Sequence, residues 1–391
     1  MATGRVAAGR NETGRSDAGR VDAGRVDAGR VEALLPSAEP VRFLTDGGAA
    51  VRGKQRYAVP DAELLRRAHR AMVVGRRFDA QATALTKQGR LAVYPSGHGQ
   101  EACQIGSVLV LEDGDWFFPT YRESMALVSR GIDPVEVLSL LRGDAHCGYD
   151  PQLHHTAPQC TPLATQTVHA AGLAYAERRK GTGRVALACV GDGATSEGDF
   201  HEALNFAAVF KAPVVFFVQN NQYAISVPLE RQTAAPSLAY KGIGYGVRSE
   251  QVDGNDPVAV LAVLSAAVEH ARSGHGPFLV EAHTYRLDPH TNADDASRYR
   301  TDAEADAWRK RDPIARLEAY LRRRGHLTDE DAAAASAEAE EFAGRLRERM
   351  NTDPELVPLG LFEHVYGTPD PQLDEQRAQL RTEIEAEEAL S

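Results

Sequence analysis

An aspartate between two glycines, and a pair of asparagines one strand–helix–strand unit later, are the side chains of this sequence best suited to hold a charged ligand. A short apolar run, Val185 to Val190, breaks off at Gly191-Asp192-Gly193; a helix-like segment from Glu197 to Phe210 follows; a second apolar run, Val214 to Val218, ends at Asn220-Asn221. Flanking glycines let backbone approach a charged group with no Cβ in the way. Asp192 offers a carboxylate and Asn221 a neutral amide oxygen, and the spacing predicts exposed carbonyls, including that of Tyr223, where the second strand ends. One carboxylate with neutral oxygens is a donor set for Mg²⁺ held against a diphosphate, and no cysteine-rich site for a softer metal accompanies it.

Such residues need a sheet to position them. Strand, glycine turn, helix, strand is the grammar of an open parallel α/β sheet, whose ligands lie in the crevice at the carboxyl ends of the strands. Two more strands are expected at 245–252 and 278–282, linked by a helix over 257–271. Pro60-Asp61 opens a long helix, Ala62 to Lys87, with Leu64, Leu65, Ala68, Met72 and Phe78 along one side. The turn Ser96-Gly97-His98-Gly99 leads into another helix, where His98 and Glu101 suit capping as readily as catalysis. Arg122 can present a planar fork to phosphate oxygens and Tyr121 a hydroxyl, the bland alternative being a surface pair of Arg122 with Glu123.

Composition sets the outer limits. With 43% hydrophobic and 25% charged residues over 391 positions, the chain can bury one large α/β core plus a smaller attached region. A net charge of −11 argues against nucleic acid as the main partner. Four cysteines without a CxxC pair suggest no disulfide scaffold. The segment from Gly143 to Thr161 carries two of them with three histidines, but at no spacing of a structural zinc site. No apolar run reaches membrane-spanning length, and a cytoplasmic protein is the default expectation.

The stretch from Gly191-Asp192-Gly193 through Asn205 to Asn220-Asn221 resembles the thiamine-diphosphate signature that starts with GDG and ends with NN. The words GDGATSEGDFHEALNFA and QNNQYAIS are similar to the α subunit of heterotetrameric 2-oxo acid dehydrogenase E1 components, and the resemblance covers residues 60–370. It implies thiamine diphosphate and Mg²⁺ as cofactors. Asp192, Asn221 and the Tyr223 carbonyl would hold the metal, Tyr121 and Arg122 the diphosphate, and Leu163, Gly191, Gly193 and Ala194 would line the cofactor site. His290 falls on the family's catalytic histidine, a cofactor contact that organises or protonates intermediates, and Arg286 on an arginine that supports its loop. Thr291 and Thr301 fall on two regulatory serines, with Ser297 just before the second; phosphate on Thr291 would repel the diphosphate and disorder the loop. Glu101 lies in a segment that lines the approach to the active site, and Glu197 is either a first-turn helix residue or a helper near the cofactor.

Thr161 to Gln166, TPLATQ, resembles the family's SPLATQ turn, which in branched-chain enzymes helps hold a monovalent cation. A K⁺ site near Cys160–Gln166 is thereby implied, although Cys160 and Thr161 stand where the pattern has two serines. Gln219 occupies a position where branched-chain relatives carry an arginine, which leaves Arg122 and the metal more of the diphosphate charge to neutralise.

The implied reaction is oxidative decarboxylation of a 2-oxo acid with acyl transfer to a lipoylated E2 partner. Because the family's activating glutamate comes from a β subunit, the chain is expected to act only within an α₂β₂ heterotetramer, its active sites built at α–β interfaces. A branched-chain 2-oxo acid of the 3-methyl-2-oxobutanoate type is the expected substrate, pyruvate the alternative, with an acetoin enzyme or a non-catalytic regulatory homologue behind them.

Three regions are expected. Residues 1–40, with their GRVDA repeats, read as a disordered arm or a tether for another subunit. Residues 41–325 read as the diphosphate-binding α/β domain. Residues 326–391 read as a helical extension with subunit contacts, including an apolar patch at Pro358–Tyr366.

Overall fold

Five short runs, Trp116–Phe118 (β1), Ala186–Gly191 (β2), Val214–Asn220 (β3), Arg248–Asp253 (β4) and Phe278–His283 (β5), pair side by side in the order β1-β2-β3-β5-β4, every pair parallel. The computed structural model describes residues 28–144, 147–352, 357–363 and 365–390. All seven residues of β3 are buried. That strand shows no polar alternation because helices cover both faces, as a parallel sheet requires.

The pleat divides the core in two. Leu187, Cys189, Val215 and Phe217 pack with helices Ala62–Lys87 (α1), Glu101–Leu109 (α2) and a later helix, while Ala186, Ala188, Phe216 and Val218 face helices Thr165–Lys180 (α3) and Gly198–Phe210 (α4). On α3, Ala170, Ala171 and Ala174 are buried against β2, small enough for helix and sheet to close up. The remaining layer helix, Pro257–His270 (α5), is almost wholly apolar and lies under β4 and β5. Its N-cap Asp256 accepts from Val258 N and Ala259 N at 3.1 Å and, with its other oxygen, from Phe43 N and Leu44 N at 2.7 and 2.6 Å. One carboxylate thus caps a helix and pins the incoming chain.

The α/β class expected from the sequence is the one observed, with shifted boundaries. The strand expected from Tyr245 begins at Arg248, because Leu238–Tyr245 winds as a 3₁₀ segment that ends on Gly246 at φ 73°. The helix expected from Glu197 begins at Gly198, after a 3₁₀ turn over Gly193–Ser196.

Residues 1–27 of the expected arm lie outside the described residues. From Leu34 onward the chain already meets the sheet: Ser249 N donates to Leu34 O at 3.2 Å, and Ser37 N to Glu250 Oε1 at 2.7 Å. Packing on the β4 edge therefore starts before Val41.

At the other end, helices Pro313–Arg323 (α6), Asp329–Met350 (α7) and Pro371–Glu388 (α8) follow one another. Thr328 and Asp331 close a capping box at the start of α7. That helix lies along α1, with Phe342 edge-on to Phe78 at 6.2 Å and Leu346 and Met350 buried in the larger core. Residues up to Met350 share the main core, whereas α8 buries no residue.

Candidate active site

A cavity of about 560 Å³ opens where the carboxyl ends of the central strands converge. Every residue expected at the cofactor lines it: Gly191, Asp192, Gly193 and Ala194 from the turn after β2, and Asn221 and Tyr223 from the chain after β3. Tyr121 and Arg122 enter after β1, Leu163 from the turn before α3, and His290 from the loop after β5. Thr291, Glu197, Gln219 and Cys160 reach the same wall.

The glycine turn is shaped for close approach. A Cβ on Gly191 would meet no protein atom within 4 Å, so there the backbone itself faces open space in the cavity; a Cβ on Gly193 would lie 2.6 Å from Ala224 Cβ. Across from it, Gln222 and Ile225 adopt φ of 76° and 56°. A β-branched residue in the left-handed region is strained, of order 1–3 kcal/mol, and such strain persists where surrounding contacts over-determine it. Arg286 Nη2 supplies one such contact, donating to Ile225 O at 2.9 Å.

Asp192 is 1% exposed, and burial pushes its carboxyl up from the ordinary carboxylate range. One oxygen accepts from Gln232 Nε2 at 2.7 Å. Asn221 is nearly as buried, and its Oδ1 accepts from Tyr223 N at 3.3 Å. Among the described residues no group of three or more His, Cys, Asp or Glu side chains could hold a metal ion. A cation at this turn would therefore rest on one carboxylate and neutral oxygens, the arrangement that suits a hard ion with phosphate oxygens of its own. Beside such an ion Asp192 would ionise, since the ion's charge reverses the effect of burial.

Two arginines meet one histidine in the same cavity. Arg122 Nη2 and Arg286 Nη1 each lie 3.0 Å from His290 Nδ1. Guanidinium nitrogens only donate, so Nδ1 accepts and the ring proton sits on Nε2. Burial, then the two guanidinium charges, bring the His290 pKa down to about 4. Arg122 also donates to Ser96 O at 2.8 Å, and its guanidinium lies 5.5 Å from the Tyr121 ring centre. The loop carrying His290 is tied at its backbone: His290 N and the Tyr299 hydroxyl both donate to Asp294 Oδ2, at 2.7 and 2.5 Å.

Other candidates fall elsewhere. Glu101 is fully buried, paired with Arg76 at 2.8 Å and accepting from Gly99 N, so it braces a turn and does not line the cavity. His98 pairs with Asp288 at 3.3 Å. Thr301 caps the helix Asp302–Arg309, and Ser297 Oγ donates to Asp295 at 2.6 Å. Around the implied K⁺ position, the Cys160 thiol donates to Pro162 O at 3.1 Å and Gln166 Nε2 to Cys189 O at 2.7 Å. A sulfur in place of a serine oxygen is a poor donor for a hard cation. His146 lies outside the described residues.

Sequence reasoning passed over Gln100, Gln232 and Asp294, and weighed Glu123 only as a surface partner of Arg122, whereas both side chains are buried. Glutamine in a loop carries no local signal, and Gln232 meets Asp192 only because the chain doubles back after the two-residue hairpin at Tyr223–Pro228.

Comparison with known proteins adds an independent line. The family described as "Dehydrogenase E1 component" matches residues 69–351. The 3-methyl-2-oxobutanoate dehydrogenase subunit alpha of Mycobacterium tuberculosis (strain ATCC 25618 / H37Rv) is 45% identical over 346 residues, 88% of this chain and 94% of that protein. The pyruvate dehydrogenase E1 component subunit alpha of Acholeplasma laidlawii is 37% identical over 86% of this chain and 98% of its own length. The corresponding Bacillus subtilis (strain 168) subunit is 36% identical over 82% and 87%.

Proposed function

The chain belongs to the dehydrogenase E1 component family, as an α subunit of its thiamine-diphosphate-dependent 2-oxo acid dehydrogenases, and from that premise we propose that its substrate is a branched-chain 2-oxo acid. Like its family it uses thiamine diphosphate and Mg²⁺, requires a β subunit, and delivers its acyl group to a lipoylated E2. The observation that carries the substrate reading is the identity gap: 45% to a 3-methyl-2-oxobutanoate enzyme subunit against 37% and 36% to two pyruvate enzyme subunits. The apolar part of the cavity wall, with Val93, Leu141, Leu163 and Ile225, also favours a branched aliphatic chain.

Under this reading Asp192, Asn221 and the Tyr223 carbonyl hold Mg²⁺. The support is chemical: a buried lone carboxylate, neutral oxygens beside it, and a glycine whose missing Cβ leaves room against the backbone. Arg122 offers its fork and Tyr121 its hydroxyl to the diphosphate. When bound, the cofactor supplies the carbon nucleophile that adds to the 2-oxo group and accepts the electrons released as CO₂ leaves. With Nδ1 engaged by the two arginines, His290 is left with its Nε2–H to offer an oxygen of the bound reactants; its pKa near 4 suits it to orient and polarise instead of shuttling a proton at neutral pH.

The test is 2-oxo acid–dependent reduction of an artificial electron acceptor by this chain, alone and co-expressed with its β subunit, in thiamine diphosphate and Mg²⁺. Activity requiring both chains and favouring 3-methyl-2-oxobutanoate is expected. A preference for pyruvate would move the substrate assignment to the second set of relatives. An intact α₂β₂ assembly inert on every 2-oxo acid would leave a regulatory homologue.

A further inference from the structure

Four buried side chains run in one line from Asn221 to a carboxylate on the far side of the cavity. Asn221 Nδ2 donates to Gln100 Oε1 at 3.2 Å, Gln100 Nε2 to Gln219 Oε1 at 3.0 Å, and Gln219 Nε2 to Glu123 Oε1 at 2.9 Å. Asn221 is 7% exposed and the other three are 1–2% exposed, so water does not compete for these bonds. The second oxygen of Glu123 accepts from Thr120 N at 2.6 Å and from the Thr120 hydroxyl.

The direction of the line follows from chemistry. An amide group turned end for end keeps its shape, so nothing in the packing alone tells an Asn oxygen from its nitrogen. An ionised carboxylate does, because it only accepts; burial raises the Glu123 pKa, while the two Thr120 bonds, the Arg122 charge and the Gln219 bond all act to lower it. Glu123 obliges Gln219 to present its NH₂, which leaves the Gln219 oxygen for Gln100. Gln100 must then give its own NH₂, which leaves its oxygen for Asn221. Asn221 spends its NH₂ on Gln100, and Oδ1 is left for the Tyr223 side of the cavity, where it already accepts Tyr223 N.

We propose that Glu123 is the positioning residue for Asn221: through Gln219 and Gln100 it fixes the amide so that Oδ1, and not Nδ2, faces the metal seat. The inference rests on the reading above, in which Asn221 is an Mg²⁺ ligand. A misdirected NH₂ would set a partial positive charge against the cation. Ligand-orienting partners outside the coordination sphere are worth about 10–100-fold in metal affinity. Gln219 acquires a function here as well, as the link that carries the orientation from the Thr120–Glu123 turn to the end of β3.

The experiment measures Mg²⁺ affinity by calorimetry on the α₂β₂ assembly with thiamine diphosphate present. In Glu123→Gln the new amide keeps its oxygen for Thr120 and turns its NH₂ on Gln219, so the line now pulls Asn221 toward offering Nδ2 to the ion, opposed on the protein side by the 3.3 Å bond from Tyr223 N to Oδ1. Mg²⁺ affinity is expected to fall ~10–100-fold with little change in melting temperature. The exchange variant, Glu123→Gln with Gln219→Glu, moves the carboxylate one place along; it accepts from both neighbours, the direction is restored, and affinity should return to the wild-type range. A merely structural role for Glu123 would not produce that rescue. Unchanged affinity in a folded Glu123→Gln assembly overturns the proposal, as does an exchange variant no better than the single one. If Glu123→Gln does not assemble, Gln219→Met cuts the same line without touching the Thr120 turn, and normal Mg²⁺ affinity there overturns it too. If the wild-type assembly binds no Mg²⁺ with thiamine diphosphate, the functional reading itself fails and this proposal falls with it.

Discussion

Arg122 donates from Nη2 to His290 Nδ1 at 3.0 Å, across 168 residues of chain, and Arg286 reaches the same nitrogen. A histidine held between two permanent cations is a neutral histidine. Its folded pKa is about 4 against an ordinary 6.5. The unfolded chain therefore binds more protons between those values, so the stabilisation is complete above pH 6.5 and is lost as pH falls toward 4. NMR titration of the ring should show it still largely neutral at pH 5. Urea denaturation at pH 7 and pH 5 should show the wild type losing more stability than His290→Gln, which cannot titrate. A ring titrating near 6.5 would mean that the arginines do not hold it.

Asp192 is expected to be needed for the ion and dispensable for the fold. Asp192→Asn keeps shape and the contact with Gln232 while removing a carboxylate whose ionisation burial opposes. Thermal stability without ligand should be unchanged or higher, and Mg²⁺-dependent binding of thiamine diphosphate should fall by at least the ~10–100-fold that loss of a mere ligand-orienting partner costs. Calorimetry with and without Mg²⁺ reads both halves. Undiminished binding would place the metal seat elsewhere.

The two glycines around Asp192 should fail in opposite ways. Gly191→Ala adds a methyl that meets no protein atom within 4 Å, so stability should hold while cofactor affinity drops. Gly193→Ala drives a Cβ to 2.6 Å from Ala224 Cβ and should cost about 1–3 kcal/mol of stability by overpacking. Denaturation curves beside binding isotherms separate the cases, and identical behaviour of the two variants would contradict this geometry.

Arg76 is expected to matter for stability and not for chemistry. It pairs with fully buried Glu101 at 2.8 Å and with Asp312 at 2.6 Å. Arg76→Met strands the Glu101 carboxylate and should cost about 3–5 kcal/mol, much of it recovered by adding Glu101→Leu. Substrate turnover per assembled tetramer should stay near wild type in the double variant; a collapse in kcat there would return Glu101 to the active site.

The sequence by itself determined what is local along the chain. Apolar runs that stop at Gly191 and Asn220, the glycine turn around Asp192, and the helix start at Asp61 each depend on neighbours a few positions away, so strands, helices and the α/β class were legible. Candidate ligands at strand ends followed, because a parallel sheet gathers those ends at one edge.

What only the tertiary structure decided is which distant groups meet. β5 lies between β3 and β4, against chain order, and this brings the loop after it back over Asn220, where Thr284 N donates to Asn220 O at 2.9 Å, and sets His290 against Arg122. The pairing of Asp192 with Gln232, the amide line from Asn221 to Glu123, and the burial of Leu346 and Met350 under α1 likewise join residues without a common local pattern. A glutamine looks the same in sequence whether it ends in water or between a carboxylate and another amide. Strand order and burial make that choice, and they belong to the whole chain.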